Sequence, residues 1–180
     1  MVYPVAWVWP IDGVSALPHQ TVNTPAAAPS GVSLREVRVS DLPAFFEHQR
    51  DPEGARMAAF SSRDHAAFTA HWHKIMANPA CAIRTVLFNG SIAGNMCAWT
   101  DGSERCVGYW IGREFWGRGV ASAALAQFLH CETTRPLTAR VVKHNAASIR
   151  VLQKAGFTPA GEEAFEPPSG VRLEELVFRL

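Results

Sequence analysis

Lysine is scarce in this sequence: of its 17 Lys and Arg residues only Lys74, Lys143 and Lys154 are lysines. The formal net charge of +1 excludes the strongly basic balance of a general nucleic-acid binder. No run of about 18 apolar residues occurs, so no membrane-spanning helix is expected. The four cysteines, Cys81, Cys97, Cys106 and Cys131, form no CxxC pair and have no histidine cluster at zinc spacing beside them. No metal site is therefore expected. Three of these cysteines fall in strand-like segments, where free Cys is a small buried hydrophobe, and this points to a reduced, cytoplasmic protein. The Gly-Lys-Ser/Thr of a P-loop is absent. Val2 to Ile11 is apolar but lacks a basic flank and carries Pro4 and Pro10, a poor signal peptide.

What is present is an ordinary globular balance: 180 residues, 48% hydrophobic and 18% charged, enough for one domain with a sizeable core. Residues 1–30 stand apart. Asp12 is their only Asp, Glu, Lys or Arg, five prolines fall among them, and no period runs through them. They read as an irregular N-terminal arm, with the domain proper at 31–180.

Within the domain, Val32 to Val39 reads as a strand. Ser40 or Asp41 caps a helix with Pro43 in its first turn, where a missing N–H costs nothing. A short helical turn is expected within Asp51 to Phe60. A second helix runs from Ser62 to about Asn78, with Phe68, Trp72, Ile75 and Met76 as its buried stripe. Cys81–Phe88 and Ser91–Thr100 are strands joined by Asn89-Gly90, a hairpin signal because both positions tolerate positive φ. Asp101-Gly102 turns into a third strand, Arg105–Ile111. A helix at Gly119–Cys131, a strand at Leu137–Val142 and a helix at Asn145–Ala155 follow, the last with Gly156 as a C-terminal stop. Two final strands, Phe157 to Phe165 and Val171 to Leu180, flank a Pro-Pro-Ser-Gly turn. The order implies a single α+β (α/β) domain: a mixed, mostly antiparallel central sheet with helices on both faces.

The sharpest local signal runs from Tyr109 to Ala121. A strand enters a short loop, the loop ends in Gly117 and Gly119, and a helix opens with Val120, Ala121 and Ser122. Unpaired N–H groups at a helix start, with glycines that let backbone approach closely, suit a diphosphate. A plain tight turn would look the same. The dinucleotide-binding fingerprint fits poorly, since Ser122 occupies its third glycine.

The segment resembles the acetyl-CoA signature of the GNAT superfamily of N-acetyltransferases, Gln/Arg-x-x-Gly-x-Gly/Ala, here Trp116-x-x-Gly119-x-Ala121. Trp for Gln or Arg departs from the general form but is usual in the branch that includes the ribosomal-protein N-terminal acetyltransferases. Tyr109-Trp110-Ile111 and Trp116 to Ala121 match that branch. So do Asn145-Ala146-Ala147-Ser148 and Leu152-Gln153-Lys154-Ala155-Gly156-Phe157. The resemblance covers roughly residues 32 to 180.

The resemblance implies acetyl-CoA as co-substrate, with Trp116, Gly117, Arg118, Gly119, Val120, Ala121, Ser122, Asn145 and Ser148 at the cofactor. It implies that the strand end at Ile111 splays from Leu137–Val142, with Ile111 and Arg113 on the pantetheine side, and that Ser148 protonates the departing thiolate. Asn145 also reads as a plain helix N-cap, and Ser148 as a solvated helix residue. The acceptor is an amine whose pKa of about 10.4 for a lysine type requires deprotonation. The branch often places Glu where Cys106 stands, so a water-mediated base is expected. His65, His71 and His73 read as core or surface residues, and Phe60, Phe68, Trp72, Met96 and Trp99 as core. Protein N-termini and small-molecule amines both remain open as acceptors, and the resemblance admits a homodimer. A non-catalytic acyl-CoA-binding domain on the same fold stays open beside the enzyme, as does Cys106 as a nucleophile to check.

Overall fold

A computed structural model describes residues 31–165 and 173–180. The arm at 1–30 and the Pro-Pro-Ser-Gly turn lie outside the described residues. Strand β1 (Val32–Arg35) leads through a 3-10 turn (Val39–Asp41) into α1 (Leu42–Arg50). Helices α2 (Pro52–Met57) and α3 (His65–Ala77) follow, then the hairpin strands β2 (Ala82–Phe88), β3 (Ser91–Asp101) and β4 (Glu104–Ile111). After a second 3-10 turn (Arg113–Phe115) come α4 (Val120–Cys131), β5 (Leu137–Val142), α5 (Ala146–Lys154), β6 (Thr158–Phe165) and β7 (Leu173–Arg179).

The strands form one seven-stranded sheet in the order β1-β2-β3-β4-β5-β7-β6. Every neighbouring pair is antiparallel except β4–β5. Along β3 the strand β4 pairs through eight residues, but it meets β5 only at Arg105↔Leu137 and Cys106↔Thr138. Beyond Cys106 the two parallel strands part, and a V opens in the middle of the sheet.

Helices cover both faces. On one, Val120, Leu125 and Phe128 of α4 and Leu152 of α5 pack on Met96, Val107, Tyr109 and Val141. On the other, Trp110 and Cys97 meet Ala58, Phe60 and Ile75, with Leu42, Phe45, Phe68 and Trp72 beside them. Each large apolar side chain so buried contributes about 1.5–3 kcal/mol. Trp99 is only half-buried against this second cluster. Burial also pulls the His71 imidazole down to about 3, so it stays neutral, while His65 and His73 are exposed.

The turns behave as their residues require. Asn89 and Gly90 both take positive φ, 50° and 83°, between the paired residues Phe88 and Ser91. Gly94 allows a close approach, for a Cβ there would stand 2.0 Å from the Trp110 carbonyl oxygen. Elsewhere the expected boundaries shift. β1 ends at Arg35 rather than Val39, because the Arg35 guanidinium and the Arg38 N–H both turn to the Asp41 carboxylate. Asp64, not Ser62, caps α3: it accepts from the Ala67 N–H at 2.8 Å, while the Ser62 hydroxyl donates to the Gln49 carbonyl. Cys81 lies one residue before β2 rather than in it.

Candidate functional site

The V between β4 and β5 leads into a cleft of about 370 Å³ bounded by the end of β4, the starts of α4 and α5, and α2. Its walls include Ile111, Trp116, Gly117, Gly119, Val120, Ala121 and Ser122 from the first segment, and Asn145 and Ser148 from the second. Two sequence-distant motifs thus share one cavity.

The first motif is held by its own backbone. Gly117 and Gly119 take φ of 71° and 76°, the left-handed region where a side chain is strained, and Gly119 stands directly before the first residue of α4. Nothing lies within 4 Å of where a Cβ would sit on either. Conformation, not crowding, requires glycine here, and the open space leaves room for an anion above the helix start. The Trp116 indole N–H donates to the Ile111 carbonyl at 2.8 Å, which ties the turn to the strand end. Deeper down, the Trp110 indole donates to the His48 carbonyl, and the His48 ring closes on Gly112 from behind. Burial lowers the His48 pKa against the opposing pull of Glu114.

The second motif begins at a genuine N-cap. Asn145 is buried, and its side-chain oxygen accepts from the Ser148 N–H at 3.0 Å. The cap reading and the cleft reading of Asn145 both hold, since the residue caps α5 and lines the cavity.

Two of the sequence-derived residues stand apart. The Arg113 guanidinium turns to Asp51 at 3.6 Å, and that of Arg118 lies 4.5 Å above the Phe88 ring; neither side chain lines the cleft. The Ile111 carbonyl accepts from the Trp116 indole and keeps a second lone pair at the mouth of the cleft. Conversely, Tyr109, Phe115, Arg150, Lys154 and Met57 line the cleft although the sequence assigned them no role in the site. Alternation along β4 puts Tyr109 on the face of Val107 and Ile111, a signal available in the sequence. Arg150 and Lys154, four apart on one helix, were readable as a basic edge.

The lining suits an anionic, elongated ligand. It holds two basic side chains and no Asp or Glu among the described residues, and the helix start of α4 adds the positive end of its dipole. Among the described residues no group of three or more His, Cys, Asp or Glu is placed to hold a metal ion, and no helix is long and apolar enough to cross a membrane.

Cys106 sits at the bottom of the V on the opposite face, where Trp110 and Cys97 also point. Burial pushes its thiol up to about 11, although the Arg140 guanidinium donates to the sulfur at 3.6 Å. A thiol protonated at neutral pH is a poor nucleophile. Glu104 and Glu163 are paired with the same Arg140, and Glu104 is the first residue of β4.

Comparison with known proteins places this geometry. Residues 32–158 match the model of the acetyltransferase (GNAT) domain. No curated protein sequence matches. Among solved structures, RimJ of Mycobacterium smegmatis in complex with CoA-disulfide is 23% identical, with 84% of this chain and 83% of that chain covered and a TM-score of 0.67. The microcin C7 self-immunity acetyltransferase MccE, in complex with acetyl-CoA and AMP, is 17% identical over 85% of this chain and 97% of that one, with a TM-score of 0.69. The aminoglycoside acetyltransferase AAC(6')-Ib in complex with coenzyme A is 16% identical over 81% and 93%, with a TM-score of 0.65. At these identities the likeness is one of fold; the domain match covers most of the chain, which therefore belongs to the GNAT family of acetyltransferases.

Proposed function

We propose that the protein transfers the acetyl group of acetyl-CoA to a primary amine, a protein N-terminus or a small-molecule amine, by direct transfer in a ternary complex. The observation that carries this reading is the meeting of the Gly117–Ser122 backbone with Asn145 and Ser148 in one cleft at the open end of the sheet. The glycine turn and the start of α4 bind the diphosphate through N–H groups, and Arg150 and Lys154 add charge at the α5 edge. The splayed β4 edge offers backbone groups to the pantetheine arm and the acetyl carbonyl. Ser148 holds its hydroxyl near the sulfur that leaves. With Cys106 a protonated thiol, the amine proton departs through water rather than to a carboxylate at that position.

That lack of a carboxylate at position 106 also favours a second reading, a domain that binds acyl-CoA without turnover. One experiment separates them: calorimetry with acetyl-CoA and with NAD, then a thiol-release assay against N-terminal peptides and small amines. The RimJ and aminoglycoside acetyltransferase likenesses motivate both halves of that panel. Transfer predicts amine-dependent thiol release that Ser148→Ala lowers by about 10²-fold in kcat, with acetyl-CoA affinity little changed. Tight binding with no release on any amine would leave the second reading standing.

A further inference from the structure

Tyr109 is buried on β4, and its hydroxyl has no hydrogen-bond partner among the described residues. A buried hydroxyl left unsatisfied costs stability that phenylalanine would not. A packing role alone therefore gives no reason for the oxygen. The residue lines the same cleft as Ser148, and the Ser148 hydroxyl is the side-chain group whose hydrogen-bonding pull offsets burial at the phenol, at a geometry short of a full hydrogen bond. Val107, Ile111 and Val120, in the same core cluster, offer it only apolar side chains. Asn145 is occupied with the Ser148 backbone N–H, not with the serine hydroxyl.

We propose that Tyr109 is a positioning residue for Ser148: its phenol O–H donates to Ser148 Oγ and turns the serine's own O–H toward the sulfur of the cofactor. The inference rests on the role of Ser148 given above. Burial pushes the Tyr109 hydroxyl up to about 12, so it stays a donor across neutral pH. Two O–H groups in series polarise each other. As the amine forms its bond to the acetyl carbon and the carbon–sulfur bond breaks, the electron pair passes to sulfur, where the Ser148 O–H meets it. The proton lost by the attacking nitrogen balances the one gained by the thiolate through solvent. Ser148 and Tyr109 both end the cycle protonated.

The test uses the full chain with coenzyme A bound. The pH at which the bound thiol ionises, followed by thiolate ultraviolet absorbance, should rise in Tyr109→Phe, with an ionisation constant lower by about threefold to tenfold. Arg150 and Lys154 act equally in both proteins and do not blur the comparison. In turnover, Tyr109→Phe should lose about tenfold in kcat with the KM for acetyl-CoA within twofold, and Ser148→Ala/Tyr109→Phe should be no slower than Ser148→Ala alone. The melting temperature of Tyr109→Phe should not fall. An unchanged bound-thiol ionisation, or a double variant that loses the product of both single effects, overturns the inference. If the unsubstituted protein binds coenzyme A but no amine accelerates thiol release, amine transfer fails as the function, and the bound-thiol titration still decides the role of Tyr109.

Discussion

At Glu175 on β7 both carboxyl oxygens are buried, and neither has a hydrogen-bond partner among the described residues. Desolvation pushes its pKa up to about 8 from an ordinary 4.5. Between those two values the folded chain keeps a proton that the unfolded chain has lost, so stability falls as pH rises through that window. Glu175→Gln preserves shape and removes the titration. Thermal denaturation should find it more stable than the parent by roughly 1–3 kcal/mol at pH 8.5 and close to equal at pH 5. A variant whose advantage does not grow with pH would show that Glu175 is ionised and satisfied. Asp41 is the opposite case. Burial alone would raise it, but bonds from Arg35, Thr85 and the Arg38 N–H bring it down to about 2. Its contribution is present above the unfolded value and is lost as pH falls toward 2. Two buried carboxyls thus act on stability at opposite ends of the pH scale, and partners decide which.

For the elements, the question is what a local pattern can demand. Asn89-Gly90 and Gly117–Gly119 were legible because positive φ is a backbone requirement that few residues meet. Asn145 was legible because a helix start needs an acceptor. The end of β1 was not, since it depends on Arg35 and Arg38 reaching Asp41, and Thr85 joins from a strand far along the chain. Nor did spacing reveal that the long side chains of Arg113 and Arg118 would leave the cleft for Asp51 and Phe88. The Tyr109 hydroxyl became visible as a site feature only when α5 was seen to place Ser148 beside it. The start of α4 allows a controlled test. Gly119→Ala and Gly90→Ala each force a side chain into left-handed backbone, at about 1–2 kcal/mol, and neither Cβ meets a neighbour within 4 Å. Both should lower the melting temperature, but only Gly119→Ala should weaken acetyl-CoA binding, by about tenfold in calorimetry. Equal affinities in the two variants would place the diphosphate elsewhere.

At the scale of the molecule the sheet is continuous in name more than in hydrogen bonds. Within the sheet its two halves meet through two residue pairs of β4 and β5, with side-chain bridges from Arg140 and Arg179 to Glu104 and the packing of α4 on α5 beside them. Under the proposed function, acetyl-CoA seated on the starts of both α4 and α5 would brace that seam. Acetyl-CoA at a hundred times its dissociation constant should stabilise the fold by about 2.7 kcal/mol, a rise of roughly 5–10 °C in melting temperature, with no comparable effect from NAD. A scan that is flat in acetyl-CoA would argue against a site shared by the two halves. The seam has a further consequence. Helix α4 packs on β1, β3 and β4 and also against α5, which packs on β5, and the exposed Thr133-Thr134 segment is the covalent join between the groups. A chain opened there would become two complementing fragments that share one core, through the two strand pairs and the meeting of α4 with α5. The cofactor would then add to a border that the core already makes, and its concentration would shift how tightly the fragments pair.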